Sequence, residues 1–287
     1  MNLQRFMRPT LIITLIILLI IMICLIVITA GVVAQVASME YEPKGVLPGK
    51  DVGWLPTEDA LVEVMLAMAN VTPEDYVVDL GSGDGRTVIA AAKRGAHALG
   101  VEYNPDLVAF SKRNAAKEGV SDKTEFIQAD LFDVDFSRAT VVTLFLRSDL
   151  NLKLRPKILN MKPGVRVVSN SFTMADWVPD QTASVEEERC PNLCCVAYFW
   201  IVPAKVEGTW RLGQLELTLR QSFQMISGTL RSGDKRVPVI GRLRGDEISF
   251  TVGADRYTGR VDGNAMEGRV LSGGSTVEWS ATRIGGY

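Results

Sequence analysis

The stretch Val77-Val78-Asp79-Leu80-Gly81-Ser82-Gly83-Asp84-Gly85 ends a short apolar run on an acid and follows it at once with alternating glycines. Glycine lets a backbone turn sharply and approach a bound molecule where a β-carbon would clash. The residues after Gly85 read as the start of a helix, whose unpaired N–H groups favour a carboxylate. Asp79 is placed to receive a cationic amino group, directly or through water. Gly81, Ser82, Gly83 and Gly85 form the cradle. The spacing is G-x-G-x-G, whereas dinucleotide folds prefer G-x-G-x-x-G and put no acid directly before the first turn. Alone, such a loop is compatible with a mere tight turn.

Two further positions give it a partner set. Glu102 ends a second apolar run, where an acid can accept both hydroxyls of a ribose. Ala129-Asp130-Leu131-Phe132 follows a third, with Asp130 able to accept from an adenine amino group and Leu131 to supply a backbone N–H. Acids at the carboxyl ends of three successive strands, beside a glycine loop, form one crevice. An ammonium, a carboxylate, a ribose and an adenine in one molecule describe S-adenosylmethionine, the expected cofactor. Asp84 is read as serving its own turn, and no general base is evident.

Other chemistries lack their residues. His97 is the sole histidine, which removes Ser-His-Asp triads and His-metal sites. Cys190, Cys194 and Cys195 lack the paired Cys-x2-Cys spacing of zinc ribbons, so no metal is expected and the cysteines read as buried strand thiols. With 31 basic against 33 acidic side chains and no Lys/Arg block, the footprint of a nucleic-acid binder is missing.

The elements that must position these residues alternate. Thr57 is placed to cap a helix carrying Leu61, Val64, Met65 and Met68 on one face. Strands are expected at Tyr76–Leu80, Ala98–Glu102, Thr124–Gln128, Thr140–Leu146 and Val165–Asn170, with helices at Arg86–Arg94, Pro105–Glu118 and Leu150–Leu159. Ala183–Glu187 and Cys195–Val202 read as a closing hairpin. This is an α/β pattern, a Rossmann-like doubly wound sheet of seven strands. Asn151 and Arg155 are expected to line the acceptor channel or else to sit on a surface helix.

The ends differ from this middle. Leu11–Ala34 is apolar except for Thr14, Thr29 and Gly31, and a helix of that length spans the roughly 30 Å hydrocarbon core. It is too long for a signal h-region, so residues 1–37 are expected to be a single-pass membrane anchor. The basic residues give a slight lean toward an external body, but the cofactor is cytosolic, and a cytoplasmic catalytic domain is expected. Residues 38–55, with Pro43, Gly45, Pro48, Gly49 and Gly53, read as a linker, and 56–203 as the cofactor-binding domain. From 204 to 287, short alternating runs separated by Ser-Gly-Asp, Arg-Gly-Asp, Asp-Gly-Asn and Ser-Gly-Gly turns predict a small β-meander of eight strands, a barrel or sandwich.

The segment Leu55–Trp177 resembles the protein-lysine methyltransferases typified by the enzyme that methylates the ATP synthase c-subunit. The matching stretches include Leu55-Pro56-Thr57, Asp79–Arg86, Gly100-Val101-Glu102, Asp130-Leu131-Phe132, Ala139–Leu146, Leu154-Arg155-Pro156-Lys157 and Pro163–Ser169. The chain departs at Arg147-Ser148-Asp149, where the family more often has Leu-Pro, and the C-terminal β-domain is not part of it. The resemblance implies a methyltransferase acting on a protein lysine, and the expected anchor adds a membrane or membrane-associated protein as partner. A non-catalytic, membrane-tethered binding module is the competing class, and a nicotinamide oxidoreductase is disfavoured by the loop spacing.

Overall fold

The computed structural model describes residues 13–26, 43, 50–51, 53–190 and 195–284, grouped in two units, Met1–Pro43 and Lys44–Tyr287. In the first, residues 13–26 form helix α1, whose isoleucines and leucines are about half exposed. The described stretch reaches roughly 21 Å, short of a hydrocarbon core. Among the described residues no helix is long and apolar enough to cross a membrane. The expected anchor therefore gains no support here, and the rest of Leu11–Ala34 lies outside the described residues.

The second unit opens with α2, Asp59–Met68, which buries Leu61, Val62, Met65 and Leu66 as one stripe. Its N-cap is Glu58 rather than the expected Thr57. Then follow β1 (Tyr76–Leu80), α3 (Arg86–Lys93), β2 (His97–Glu102), α4 (Pro105–Lys117), β3 (Thr124–Gln128), β4 (Val141–Leu144), α5 (Ser148–Leu159) and β5 (Arg166–Asn170). The strands lie parallel in the order β3-β2-β1-β4-β5. Helices cover both faces, so β4 is buried at every residue and shows no alternation. The chain winds outward from β1 and returns at β4. That reversal opens a crevice at the carboxyl ends of the strands.

The antiparallel hairpin of β6 (Gln181–Ser184) and β7 (Val196–Ile201) completes the seven-stranded sheet, with β7 between β5 and β6. Strand β6 starts two residues earlier than expected because Gln181 already pairs with Phe199. Cys190 and Cys195 lie in the connection, not in strands, and are joined by a disulfide. This corrects the expectation of unpaired strand thiols. Their Cα atoms lie 5.9 Å apart, within bonding reach. Cys194 lies outside the described residues.

Eight antiparallel strands, from β8 (Gly208–Leu212) to β15 (Ser275–Arg283), form a closed barrel in which β15 pairs back onto β8. Closure removes the exposed edges an open meander would leave. Inside, Phe250 stacks on Tyr257 at 4.6 Å, and Trp279 meets both rings edge-on. Gly259 makes room for this packing: a β-carbon there would lie 2.9 Å from the Trp279 ring. The barrel joins the sheet through the Ala204 N–H to Gly245 carbonyl bond (2.8 Å), through Gln224 Nε2 donating to the Val178 carbonyl (2.7 Å), and through an Arg242–Asp180 ion pair. Gly245 also abuts Gly164, just before β5 begins. The barrel therefore adjoins the end of the sheet opposite the crevice.

Candidate active site

The crevice holds a cavity of about 320 Å³, and Asp79, Gly81, Ser82, Glu102, Asp130 and Leu131 all line it. Gly83 and Gly85 do not; Gly83 abuts the Trp54 indole of the cavity wall, and Gly85 abuts Phe126 and Ser111. Gly81, Gly83 and Gly85 have φ of 86°, 54° and 82°, which a side chain resists. A β-carbon on Gly85 would fall 2.7 Å from the Phe126 ring, and one on Gly83 would fall 2.1 Å from the Trp54 indole nitrogen.

Asp79, at the last turn of β1, is buried and accepts from Thr143 Oγ1 at 2.7 Å. Burial is the largest influence on its carboxyl. Thr143 works against it, but the nearby Glu102 and Asp84 charges add to it, and the pKa is pushed up to about 7. A cation brought into the cavity would relieve that cost. Ser82 Oγ is buried, crowding Gly100 beside the Phe126 ring, with no hydrogen-bond partner among the described residues. The cost of the buried Asp79 carboxylate fits a ligand with a cationic amino-acid end.

Glu102 is fixed by backbone donors. Its Oε2 accepts from Gly83 N–H and its Oε1 from Asn104 N–H, each at 2.9 Å, so the carboxylate ties the glycine loop to the end of β2. Asp130 accepts from Phe132 N–H at 3.0 Å and, contrary to a free acceptor, also from Lys50 Nζ. That bond to Lys50 is the main cause holding its pKa below the usual carboxylate range. Asp84 serves its turn as expected, with both oxygens engaged by Arg86, at 3.0 Å to Nε and 2.6 Å to the terminal nitrogen.

Asn151 and Arg155 do not line the cavity, which corrects that expectation. Asn151 faces inward from α5 and donates to Ser169 Oγ and the Phe172 carbonyl, both at 3.2 Å. Arg155 donates to the Met174 carbonyl at 2.9 Å and pairs with Asp176. Both brace the loop after β5. Nor does the stretch ending at Leu55 behave only as a linker: Lys50, Asp51, Gly53, Trp54 and Leu55 are cavity wall. Thr57 continues that wall. Its carbonyl accepts from Arg86 at 2.8 Å and its hydroxyl from Asn170 Nδ2 at 3.1 Å, which is why it does not cap α2. An aromatic residue placed between a Gly/Pro-rich stretch and a helix was the one local sign of this wall.

Beyond Asp79 the cavity turns largely apolar, with Leu144, Phe145, Leu146, Leu150 and Phe172, and Arg147 beside them. Phe145 and Phe172 stack at 6.2 Å. No histidine lines any part of the cavity, and its carboxylates lie toward the glycine loop, the strand ends and the Lys50–Leu55 wall.

Comparison with known proteins agrees with this geometry. Residues 79–181 match the ANTKMT methyltransferase domain family. A protein-lysine N-methyltransferase of Saccharolobus islandicus is 38% identical over 154 residues, covering 53% of this chain and 94% of that protein. The human lysine N-methyltransferase of the ATP synthase c-subunit is 42% identical over 105 residues, which cover 36% of this chain and 45% of that protein. Among solved structures, an RNA methyltransferase from Salinibacter ruber with bound S-adenosyl-L-homocysteine is 44% identical, with a TM-score of 0.49, covering 53% of this chain and 96% of that one. The cofactor is S-adenosylmethionine. The chain belongs to the methyltransferase family that the ANTKMT domain and the archaeal lysine methyltransferase represent.

Proposed function

We propose that the protein methylates the side-chain amine of lysine in a protein substrate, and that Asp79, Gly81, Ser82, Gly83, Gly85, Glu102, Asp130 and Leu131 form the cofactor site. Asp79 takes the methionyl ammonium, and the loop N–H groups with the α3 N-terminus face the carboxylate. Glu102 takes the ribose hydroxyls, and Asp130 with the Leu131 N–H takes the adenine. S-adenosylmethionine supplies a methyl group already activated on its sulfonium. The protein's remaining task is alignment and exclusion of water.

The observation that carries the lysine reading is the apolar, base-free acceptor end. A lysine amine must be neutral to attack, and entry past the stacked Phe145 and Phe172 rings strips water from its charged form and lowers its pKa. No side chain need hold the proton at the moment of attack. Enzymes that methylate amide or adenine nitrogens instead carry an Asn/Asp-Pro-Pro-aromatic loop, and this chain has Leu144-Phe145-Leu146-Arg147 there. The names of the Saccharolobus islandicus and human relatives point the same way, whereas that of the Salinibacter ruber structure points to RNA. The test is incubation of the full chain with methyl-labelled S-adenosylmethionine and a membrane-protein extract, followed by amino-acid analysis. Label recovered as methyl-lysine supports the proposal; label confined to arginine, glutamine or nucleic acid rejects it.

A membrane tether, with the catalytic domain on the cytoplasmic side, rests on the sequence of residues 1–37 alone. A reporter fused after Tyr287, active in one compartment only, tests it; activity only outside the cytoplasm rejects that orientation.

A further inference from the structure

Asp130 is the strand-end acid suited to an adenine amino group, yet one of its oxygens accepts from Lys50. The Lys50 side chain is 41% exposed, and its ammonium lies 5.4 Å from the centroid of the Tyr103 ring, at the rim of the same cavity. An exposed Lys–Asp pair is weak and screened by salt. A nucleoside can therefore displace it, but has to compete for the oxygen.

A few residues on, the Trp54 indole rests directly on Gly83, close enough that any β-carbon there would overlap it. The stretch beyond is fastened by the bonds of Thr57 to Arg86 and Asn170, so the indole is held over the glycine loop from a fixed side. The face of a tryptophan ring attracts a desolvated cation such as a sulfonium. The other four tryptophans, at 177, 200, 210 and 279, are buried and none lines the cavity.

We infer that Trp54 and Lys50 belong to the cofactor site, Trp54 as the wall covering the methionyl and sulfonium end, and Lys50 as an internal competitor that must leave Asp130 before adenine is bound. Both roles rest on the cofactor site assigned above. Trp54 thus favours the charged cofactor over the neutral sulfur of the product, S-adenosylhomocysteine. Lys50 weakens both equally, because both carry the same adenine.

The test uses the full chain, calorimetry with S-adenosylmethionine and with S-adenosylhomocysteine, and tryptophan fluorescence. Trp54→Phe keeps an aromatic wall and should bind both ligands within about threefold of the parent, while abolishing the ligand-induced fluorescence change. Trp54→Ala should weaken S-adenosylmethionine at least tenfold and S-adenosylhomocysteine less. Lys50→Met should tighten both by twofold or more, and the gain should shrink at high salt. A fluorescence change that survives Trp54→Phe, or equal losses for both ligands in Trp54→Ala, would overturn the role of the indole. Weaker binding in Lys50→Met would make Lys50 a ligand contact and not a competitor. Loss of all binding in the parent chain would instead count against the cofactor site as a whole.

Discussion

In the barrel, the interior tryptophans have their N–H groups satisfied, Trp210 by the Val206 carbonyl at 2.8 Å and Trp279 by the Thr258 carbonyl at 3.1 Å. At the carboxyl edge of the sheet, Asp79 is buried beside two other acids, Ser82 Oγ has no partner among the described residues, and three glycines in the loop adopt left-handed backbone. The barrel follows local rules in its strands and core, with Phe223 in left-handed backbone in one connecting turn, whereas the sheet edge buries a carboxylate beside two other acids at one cavity. That electrostatic cost sits where a cationic ligand can relieve it. The barrel uses its buried groups for packing, and the edge keeps a buried carboxylate open to a cavity.

This contrast can be broken or sharpened by substitution. Trp210→Ala removes a fully buried ring from the barrel core and should destabilise the protein by about 3–5 kcal/mol. Cofactor affinity, measured well below the melting temperature, should stay within twofold, since the crevice lies at the other end of the sheet. A parallel loss of affinity would mean the two regions are coupled.

Asp79→Asn should act in the opposite sense. The folded-state pKa of about 7 lies above the ordinary 3.8, so the folded chain holds this proton more tightly than the unfolded chain. The group therefore costs stability progressively as pH rises from about 4 to 7, with the full cost above 7. That cost is at most on the order of 4 kcal/mol. The variant should melt higher than the parent at pH 8, match it near pH 4, and fail to bind cofactor. A lower melting temperature at pH 8 would contradict the assigned burial cost.

Gly83→Ala forces a side chain into left-handed backbone and against Trp54, a penalty of about 1–2 kcal/mol from the backbone alone. Combining it with Trp54→Ala should recover part of the lost melting temperature, because one collision is removed. Strict additivity would show that the indole is not in contact. The smallest effect is expected for Arg231→Ala on the barrel surface. Its guanidinium and the Glu216 carboxylate it pairs with are both 40% or more exposed, and the loss should be within about 1 kcal/mol in thermal melts.

The two regions were also unequally legible in the sequence. Barrel strands follow from alternation and glycine turns, both local signals, and closure needed only that the eighth strand return to the first. The acids at 79, 102 and 130 were legible because each lies at or just past the carboxyl end of a strand of a parallel sheet. What stayed hidden depends on distant pairs. Lys50 meets Asp130 across 80 positions, and Thr57 meets Asn170 across 113. No periodicity encodes such contacts, so a cavity wall read as linker and as cap. Asn151 and Arg155 were left between the acceptor channel and a surface helix because the sequence does not say which side of α5 faces the loop after β5.

Calorimetric titration of S-adenosylmethionine into the parent chain and into Asp79→Ala tests the central claim most directly. Saturable one-to-one binding in the parent, lost by at least a hundredfold in a variant with unchanged circular dichroism, is the expected result. Equal affinity in the two proteins would contradict it.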